Sequence, residues 1–358
     1  MQPTTLESNR PGLARRTGEN LFRRYLVYIF AAALTVAFGV LAVNSAVDPL
    51  WYWRGNIVTG ENFAFNERFA KLNRFLRAPE RYDCVIFGSS RATLLDQTRI
   101  TDYTCANLSF SSGVVSEFLA TARYLKAQGF SPKLVIVGID AFNFWRSMEP
   151  NLTDFVKSGR RPPAWIPTYL TASALGFSVR ALAGDSPYAR SYDANFVGRA
   201  NDDAPTYTPP AHDEMVAKTW KFDPSRQEIF FELRDVFPEA QFVGYVPPTS
   251  AWRTVEELYL TGHIDQYLGV MKAIAKRFGA LYDFSAPSEV TALPENTYDG
   301  SHFRANVNAS IVDVLQGRST HWGIDVGGVT DTEYAQVYND AITEFLLGLP
   351  KGPRDDSR

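Results

Sequence analysis

From Tyr25 to Val47 the chain runs for 23 residues without a formal charge: YLVYIFAAALTVAFGVLAVNSAV. As a helix this run would extend about 35 Å at 1.5 Å per residue, enough to cross a hydrocarbon core of about 30 Å with some tilt. No polar face interrupts it, which argues against the buried helix of a globular core. Arg10, Arg15, Arg16, Arg23 and Arg24 precede it, opposed only by Glu7 and Glu19. The positive-inside bias then holds residues 1–24 in the cytoplasm as a basic tail, with residues 25–47 as a transmembrane anchor and everything after Asp48 outside. A cleaved signal peptide is the competing reading. Its apolar region usually spans about 7–15 residues and ends in an A-x-A-like site, a pattern that Asn44-Ser45-Ala46 fits poorly. Either reading makes the bulk of the protein extracytoplasmic.

Beyond Val47 remain 311 of the 358 residues, and a chain that is 45% hydrophobic and 14% aromatic can offset its ordering entropy, so disorder is excluded as the main state. The 36 basic and 39 acidic residues give no electrostatic case for nucleic acid. Residues 48–80 read as a juxtamembrane connector. There DPLWYW offers aromatics suited to the bilayer interface, and Asn66–Arg77 is a short basic helix with a solvated face, or one lying on the membrane. Apolar strand-like runs follow at 83–87, 104–108, 133–139, 240–246 and 280–284, alternating with helical patterns at 116–128, 254–278 and from Ala305. In the long stretch, Leu258, Ile264, Leu268, Met271, Ile274 and Phe278 recur at core-packing spacing. The alternation predicts an α/β fold with a doubly wound, mostly parallel sheet over residues 81–348. Residues 145–237, rich in Pro, Asp, Arg and aromatics, read as an insertion or cap, and 349–358 as a polar tail.

Two motifs could carry chemistry. FGSSRA (Phe87–Ala92) follows the first strand, where α/β proteins place their sites; a phosphate-cradling loop or a helix N-cap would use the same residues. YDGSHF (Tyr298–Phe303) precedes a late helix and sets Asp299 and His302 three apart, the spacing of a carboxylate that supports an imidazole base. Of the four histidines, His302 alone has an acidic residue at such a spacing in a strand-to-helix turn.

A serine after the first strand with Asp-x-x-His after the last resembles the SGNH (GDSL-like) hydrolase superfamily, over about residues 81–315. The resemblance implies a flavodoxin-like three-layer fold, with Ser90 as nucleophile, Asp299 and His302 completing the triad, and the backbone N–H groups of Ser90 and Gly113 in the oxyanion hole. The stretch NLSFSSG (Asn107–Gly113) matches the family's second block approximately. The third block, Gly-x-Asn-Asp in the family, departs: here it reads Gly138-Ile139-Asp140-Ala141-Phe142-Asn143. An ionised Asp140 only accepts hydrogen bonds, so Asn143 is left as the side-chain candidate for the hole.

More narrowly, the chain is similar to membrane-anchored SGNH-like proteins of the bacterial envelope, in its Asp48-Pro49 connector with Trp51–Trp53, its Gly88–Arg91 block and its Asp299–Arg304 block. Related proteins take part in alginate O-acetylation or teichoic acid D-alanylation, often beside a multi-span membrane acyltransferase. The resemblance therefore implies an acyltransferase on the outer side of a bacterial inner membrane, in the periplasm, that acts on an envelope glycan or other acylated substrate through an acyl-serine. An esterase with the same triad, or a non-catalytic scaffold that binds glycan or partners, are the alternatives. No cofactor motif or metal-ligand spacing is evident. Cys84 and Cys105 fall near the starts of neighbouring strands, so a disulfide and two buried thiols both stay open.

Overall fold

The computed structural model describes residues 11–145, 149–200, 204–319 and 321–349, with residues 11–19 as backbone only. The first ten residues of the basic tail, and the polar tail beyond Leu349, lie outside the described residues. Helix α1 (Pro11–Val47) continues the apolar run back through the Arg-bearing stretch, so the boundary at Tyr25 is one of composition and not of backbone. Its Asn20–Val47 portion is long and apolar enough to cross a membrane, and its most apolar window is unburied.

After α1 the chain forms β1 (Asn62–Phe63), α2 (Glu67–Phe75), β2 (Cys84–Phe87), β3 (Cys105–Asn107), α3 (Val115–Ala127) and β4 (Leu134–Gly138). Next come α4 (Asp154–Ser158), α5 (Trp165–Tyr169), α6 (Ala172–Leu182), β5 (Arg190–Tyr192), β6 (Gly198–Ala200), α7 (Gln227–Val236) and β7 (Gln241–Val246). The last are α8 (Ala251–Thr254), α9 (Ile264–Phe278), β8 (Leu281–Asp283), α10 (Ala305–Leu315), β9 (Ile324–Asp325) and α11 (Asp331–Gly348). A six-stranded sheet has the order β3-β2-β4-β7-β8-β9, parallel except for the antiparallel edge strand β9. β1, β5 and β6 form a separate antiparallel sheet.

The strands read as continuous apolar runs because both faces are covered. Val85, Phe87, Val135, Val137 and Phe242 pack on one face with Leu72, Phe118, Phe230, Met271 and Tyr334 from α2, α3, α7, α9 and α11. The alternating Ile86, Leu134, Ile136 and Val243 face Ile311, Val312 and Val314 of α10. Fully burying each such side chain contributes about 1.5–3 kcal/mol.

Four features differ from the sequence reading. Helix α2 buries Glu67, Ala70, Lys71, Leu72, Asn73 and Phe75, so the 66–77 segment packs into the domain along most of its length, with Asn66 and Arg77 exposed at its ends. Trp51 and Tyr52 are each 1% exposed, packed on Phe196 and Tyr169 at 3.8 and 5.1 Å, so of that trio only Trp53 remains outside. The long 254–278 pattern is broken at Gly262, whose φ of +71° fits a residue without Cβ, and α9 starts only at Ile264. Within 145–237, α7 is a crossover helix between β4 and β7 that packs in the core through Phe230, Leu233 and Val236.

Cys84 and Cys105 are paired in register across β2 and β3 and form a disulfide. Replacing both with Ala is expected to lower the stability of the outer domain by about 3 kcal/mol, the loop-closure value for a short loop; here the separation is 21 residues. The urea midpoint of C84A/C105A against the parent checks this.

Candidate active site

The sheet reverses its direction of growth between β2 and β4, which is where open α/β sheets form a crevice at their carboxyl ends. The loop Gly88-Ser89-Ser90-Arg91 leaves β2 at this point. It has no room at Gly88: a Cβ there would lie 2.4 Å from Ala92 Cβ. Ser89 is buried and its Oγ accepts the Arg91 N–H at 3.2 Å. This turn leaves Ser90 half-buried, with its hydroxyl pointing across the crevice.

The partner loop is closed by a bridge between Thr297 and Phe303, with Thr297 Oγ1 donating to His302 O at 2.8 Å and accepting Gly300 N–H at 3.0 Å. Gly300, at φ +75°, makes the reversal. Within that loop Asp299 Oδ1 accepts the N–H groups of Ser301 and His302 at 2.9 and 2.8 Å, and Asp299 Oδ2 meets His302 Nδ1 at 2.7 Å. His302 Nε2 lies 2.7 Å from Ser90 Oγ. The structure thus brings Ser90, His302 and Asp299 into one hydrogen-bonded line from opposite ends of the domain.

Electrostatics fix the direction of that line. Burial raises the Asp299 pKa, but the His302 hydrogen bond and charge and the two backbone donors outweigh it and hold the group at about 2. An ionised Asp299 only accepts, so Nδ1 carries the proton; in the neutral imidazole Nε2 is then the lone-pair acceptor and the Ser90 hydroxyl donates to it. Tyr298 stacks on the imidazole at 5.4 Å and 7°, restricting its rotation. The His302 side chain is 18% exposed and that of Asp299 43%, so the line opens on a surface that a bulky acceptor can reach.

The oxyanion side is less complete. The Ser90 N–H has no acceptor among the described residues, but the Gly113 N–H donates to Phe110 O at 3.1 Å. Gly113 itself is wedged over the Gly88 carbonyl, where a Cβ would lie 2.8 Å from the oxygen. Asn143 Oδ1 accepts the Val115 N–H at 2.6 Å and so caps the start of α3. Asn143 Nδ2 is sealed from solvent and has no hydrogen-bond partner among the described residues. Asn143→Asp keeps the acceptor and removes the amide donor. It is expected to leave ester turnover within about tenfold of the parent, whereas loss of an oxyanion donor costs about 10²–10³-fold; kcat decides between the two.

Asp140 has a structural partner that the motif did not disclose. Arg91 Nη1 binds Asp140 Oδ1 at 2.8 Å, and Arg91 Nε donates to Ser301 Oγ at 3.0 Å. The side chains are 8% and 0% exposed. One guanidinium therefore ties the ends of β2 and β4 to the loop that carries His302. The visible signal is a basic residue, Arg91, inside a turn of otherwise small residues.

A second buried charge group borders the site. Arg190 pairs with Glu67 at 3.0 Å, Tyr192 donates to the same carboxylate, and Ser111 N donates to it at 2.6 Å. Burial pushes Tyr298 up to about 12, with the Arg190 charge acting against it. Nearby, Lys71 Nζ donates to Ser109 O at 2.7 Å. Burial pushes Lys71 down to about 7, Glu67 opposing and Arg190 adding to the fall. Between that value and its ordinary 10.5, the unfolded chain holds a proton that the folded chain has released, so stability from this group rises with pH across the window. Lys71→Met should flatten the rise in urea midpoint between pH 7 and 9 (about half the window) that the parent shows.

Among the described residues, no three His, Cys, Asp or Glu side chains gather as a metal-ligand set. No family model matches the chain, and no curated protein matches it.

Proposed function

We propose that this chain is a membrane-anchored serine acyltransferase of SGNH type, which passes an acyl group through Ser90 to a hydroxyl of an envelope glycan outside a bacterial inner membrane. The observation that carries this reading is the Ser90–His302–Asp299 line, with bonds of 2.7 Å on either side of the imidazole.

In the first half-reaction His302 Nε2 takes the Ser90 proton as Oγ bonds to the acyl carbon, and the carbonyl electron pair moves onto oxygen. The Ser90 N–H is the donor placed to meet that oxyanion. As the pair returns, the bond to the leaving group breaks and His302 gives it the proton. In the second half-reaction the glycan hydroxyl loses its proton to His302 as it attacks the acyl carbon; the bond from that carbon to Ser90 Oγ then breaks and His302 returns the proton to Oγ. Asp299 stays ionised and steadies the imidazolium throughout. Water in place of the glycan makes the same steps an ester hydrolysis.

The test is an aryl acetate assay of the full chain in detergent, with and without an oligosaccharide acceptor. The proposal expects acetylated oligosaccharide by mass spectrometry and a faster release of phenol when acceptor is present. Acetate as sole product, at a rate blind to acceptor, identifies an esterase instead. One observation favours a non-catalytic scaffold: the Gly113 N–H and the Asn143 and Asp140 side chains are all otherwise engaged or sealed. That reading expects neither product.

A further inference from the structure

We propose that α5, α6 and the Ile57–Val58 turn form a collar that lies in the outer interface of the lipid bilayer, around the point where α1 leaves it. The inference rests on α1 being a membrane span and extends the anchor from one helix to a face of the folded domain.

The packing of α6 on α1 has the character of helix contacts in lipid. Ala174, Ser178 and Ala181 are the buried residues of α6, small side chains at i, i+4 and i+7 that permit close approach. Asn44 of α1, 0% exposed, donates to Tyr169 O at 2.7 Å and accepts from Ser178 Oγ at 2.7 Å, so the one amide near the end of the apolar run is satisfied across the helices. At the end of α1, Asp48 accepts from the Tyr169 hydroxyl and from Trp53 N and Gly55 N at 2.8 Å, which locks the exit turn to α5.

The depth follows from the register. Asn44 lies three residues before the end of α1, so α6 crosses α1 about 5 Å inside the end of the apolar run at 1.5 Å per residue. Interfacial helices bury their apolar face about 5–10 Å into the headgroup and acyl boundary. At that level the molecule presents Val179 (56%), Leu182 (44%), Leu170 (44%) and Ile166 (47%) to the outside. Ile57 N donates to Ala46 O at 3.0 Å, so the turn bearing Ile57 (71%) and Val58 (59%) stands beside the same helix end. Trp53, 43% exposed and 5.2 Å from Trp165, adds the aromatic expected at an interface. An apolar set of this size ringing a membrane-crossing helix fits acyl chains and headgroups, and its occupant is the bilayer itself.

The test places single cysteines in the full chain, with the native disulfide kept, at Ile57, Val179 and Leu182, at Val36 within the span, and at Asn339 on α11. All five positions are exposed, so the substitutions leave packing intact. Each is labelled with an environment-sensitive fluorophore and reconstituted in phosphatidylcholine and phosphatidylglycerol vesicles, with and without doxyl-labelled lipid. The proposal expects blue-shifted, quenched emission at positions 57, 179, 182 and 36, and water-like, unquenched emission at 339. Quenching at 36 with water-like emission at 57, 179 and 182 overturns the collar, leaves the span intact and turns this face toward a protein partner. Loss of quenching at 36 as well overturns collar and span together. Neither result depends on acyl transfer, so the collar and the chemistry fail separately.

Discussion

Ser90→Ala is expected to lower ester turnover by roughly 10⁴–10⁶-fold, because a nucleophile removed from a triad takes the whole covalent route with it. The change should be silent in stability. The Ser90 hydroxyl is half-buried and gives up only its hydrogen bond to His302, while the Gly88–Arg91 turn is held by Ser89, by the Arg91 guanidinium and by the Thr93 hydroxyl on Ser90 O. A drop in rate with an unchanged urea midpoint therefore reports chemistry and not unfolding. His302→Ala should fall to a similar floor, and the double variant no further, since groups that act as one unit are not additive. Asp299→Asn should cost about 10⁴-fold. Its Oδ1 bonds to two backbone N–H groups can persist, but an amide NH₂ facing Nδ1 forces the proton onto Nε2, and Nε2 can then no longer accept from Ser90.

The second large effect is on stability. Arg91→Met is expected to destabilise the outer domain by about 3–5 kcal/mol, because it strands the Asp140 carboxylate, 0% exposed, without its counter-charge. The desolvation of Asp140 is the source of the cost, so R91M/D140L should recover much of it. The double-mutant cycle should then show strong coupling, of roughly 0.5–3 kcal/mol or more. Arg91→Lys keeps the charge but cannot reach Asp140 and Ser301 together as the planar fork does, and should fall between. Because Arg91 also holds Ser301, next to His302, R91M/D140L should regain its midpoint without regaining full turnover. Urea midpoints and kcat for R91M, D140L, R91M/D140L and R91K separate these outcomes.

Much of this was written in local patterns. The strand residues alternate between two buried faces, so 83–87 and 133–139 announced themselves as continuous apolar runs, and the structure trims each by a residue or two at its ends. Asp299 and His302 were visible because their pairing is a matter of spacing within one loop. What stayed hidden depends on partners far along the chain. Asp140 looked like a faulty oxyanion donor, because nothing near it in sequence shows that Arg91, 49 residues earlier, fills its place with an ion pair. Asn143 is named for the hole on its amide donor, and no short-range pattern shows that its Oδ1 caps α3. The basic pattern of 66–77 suggested a wet or membrane-lying surface, yet Glu67 and Lys71 are buried against Arg190 and Ser109, contacts that no short-range periodicity encodes. The lipid-facing candidates sit instead on α5, α6 and the Ile57–Val58 turn; α6 is a short apolar helix of 11 residues whose place beside the span shows only in its contact with Asn44.

The central claim is that Ser90 is a nucleophile activated by His302 and Asp299. It is tested most directly by exposing the full chain in detergent to a fluorophosphonate and locating the adduct by peptide mass mapping. The account predicts one adduct on the peptide that carries Ser90, formed by the parent, absent in S90A and strongly slowed in H302A. An unlabelled Ser90 in a chain that retains its disulfide and its cooperative unfolding, or labelling of equal rate in H302A, would contradict it.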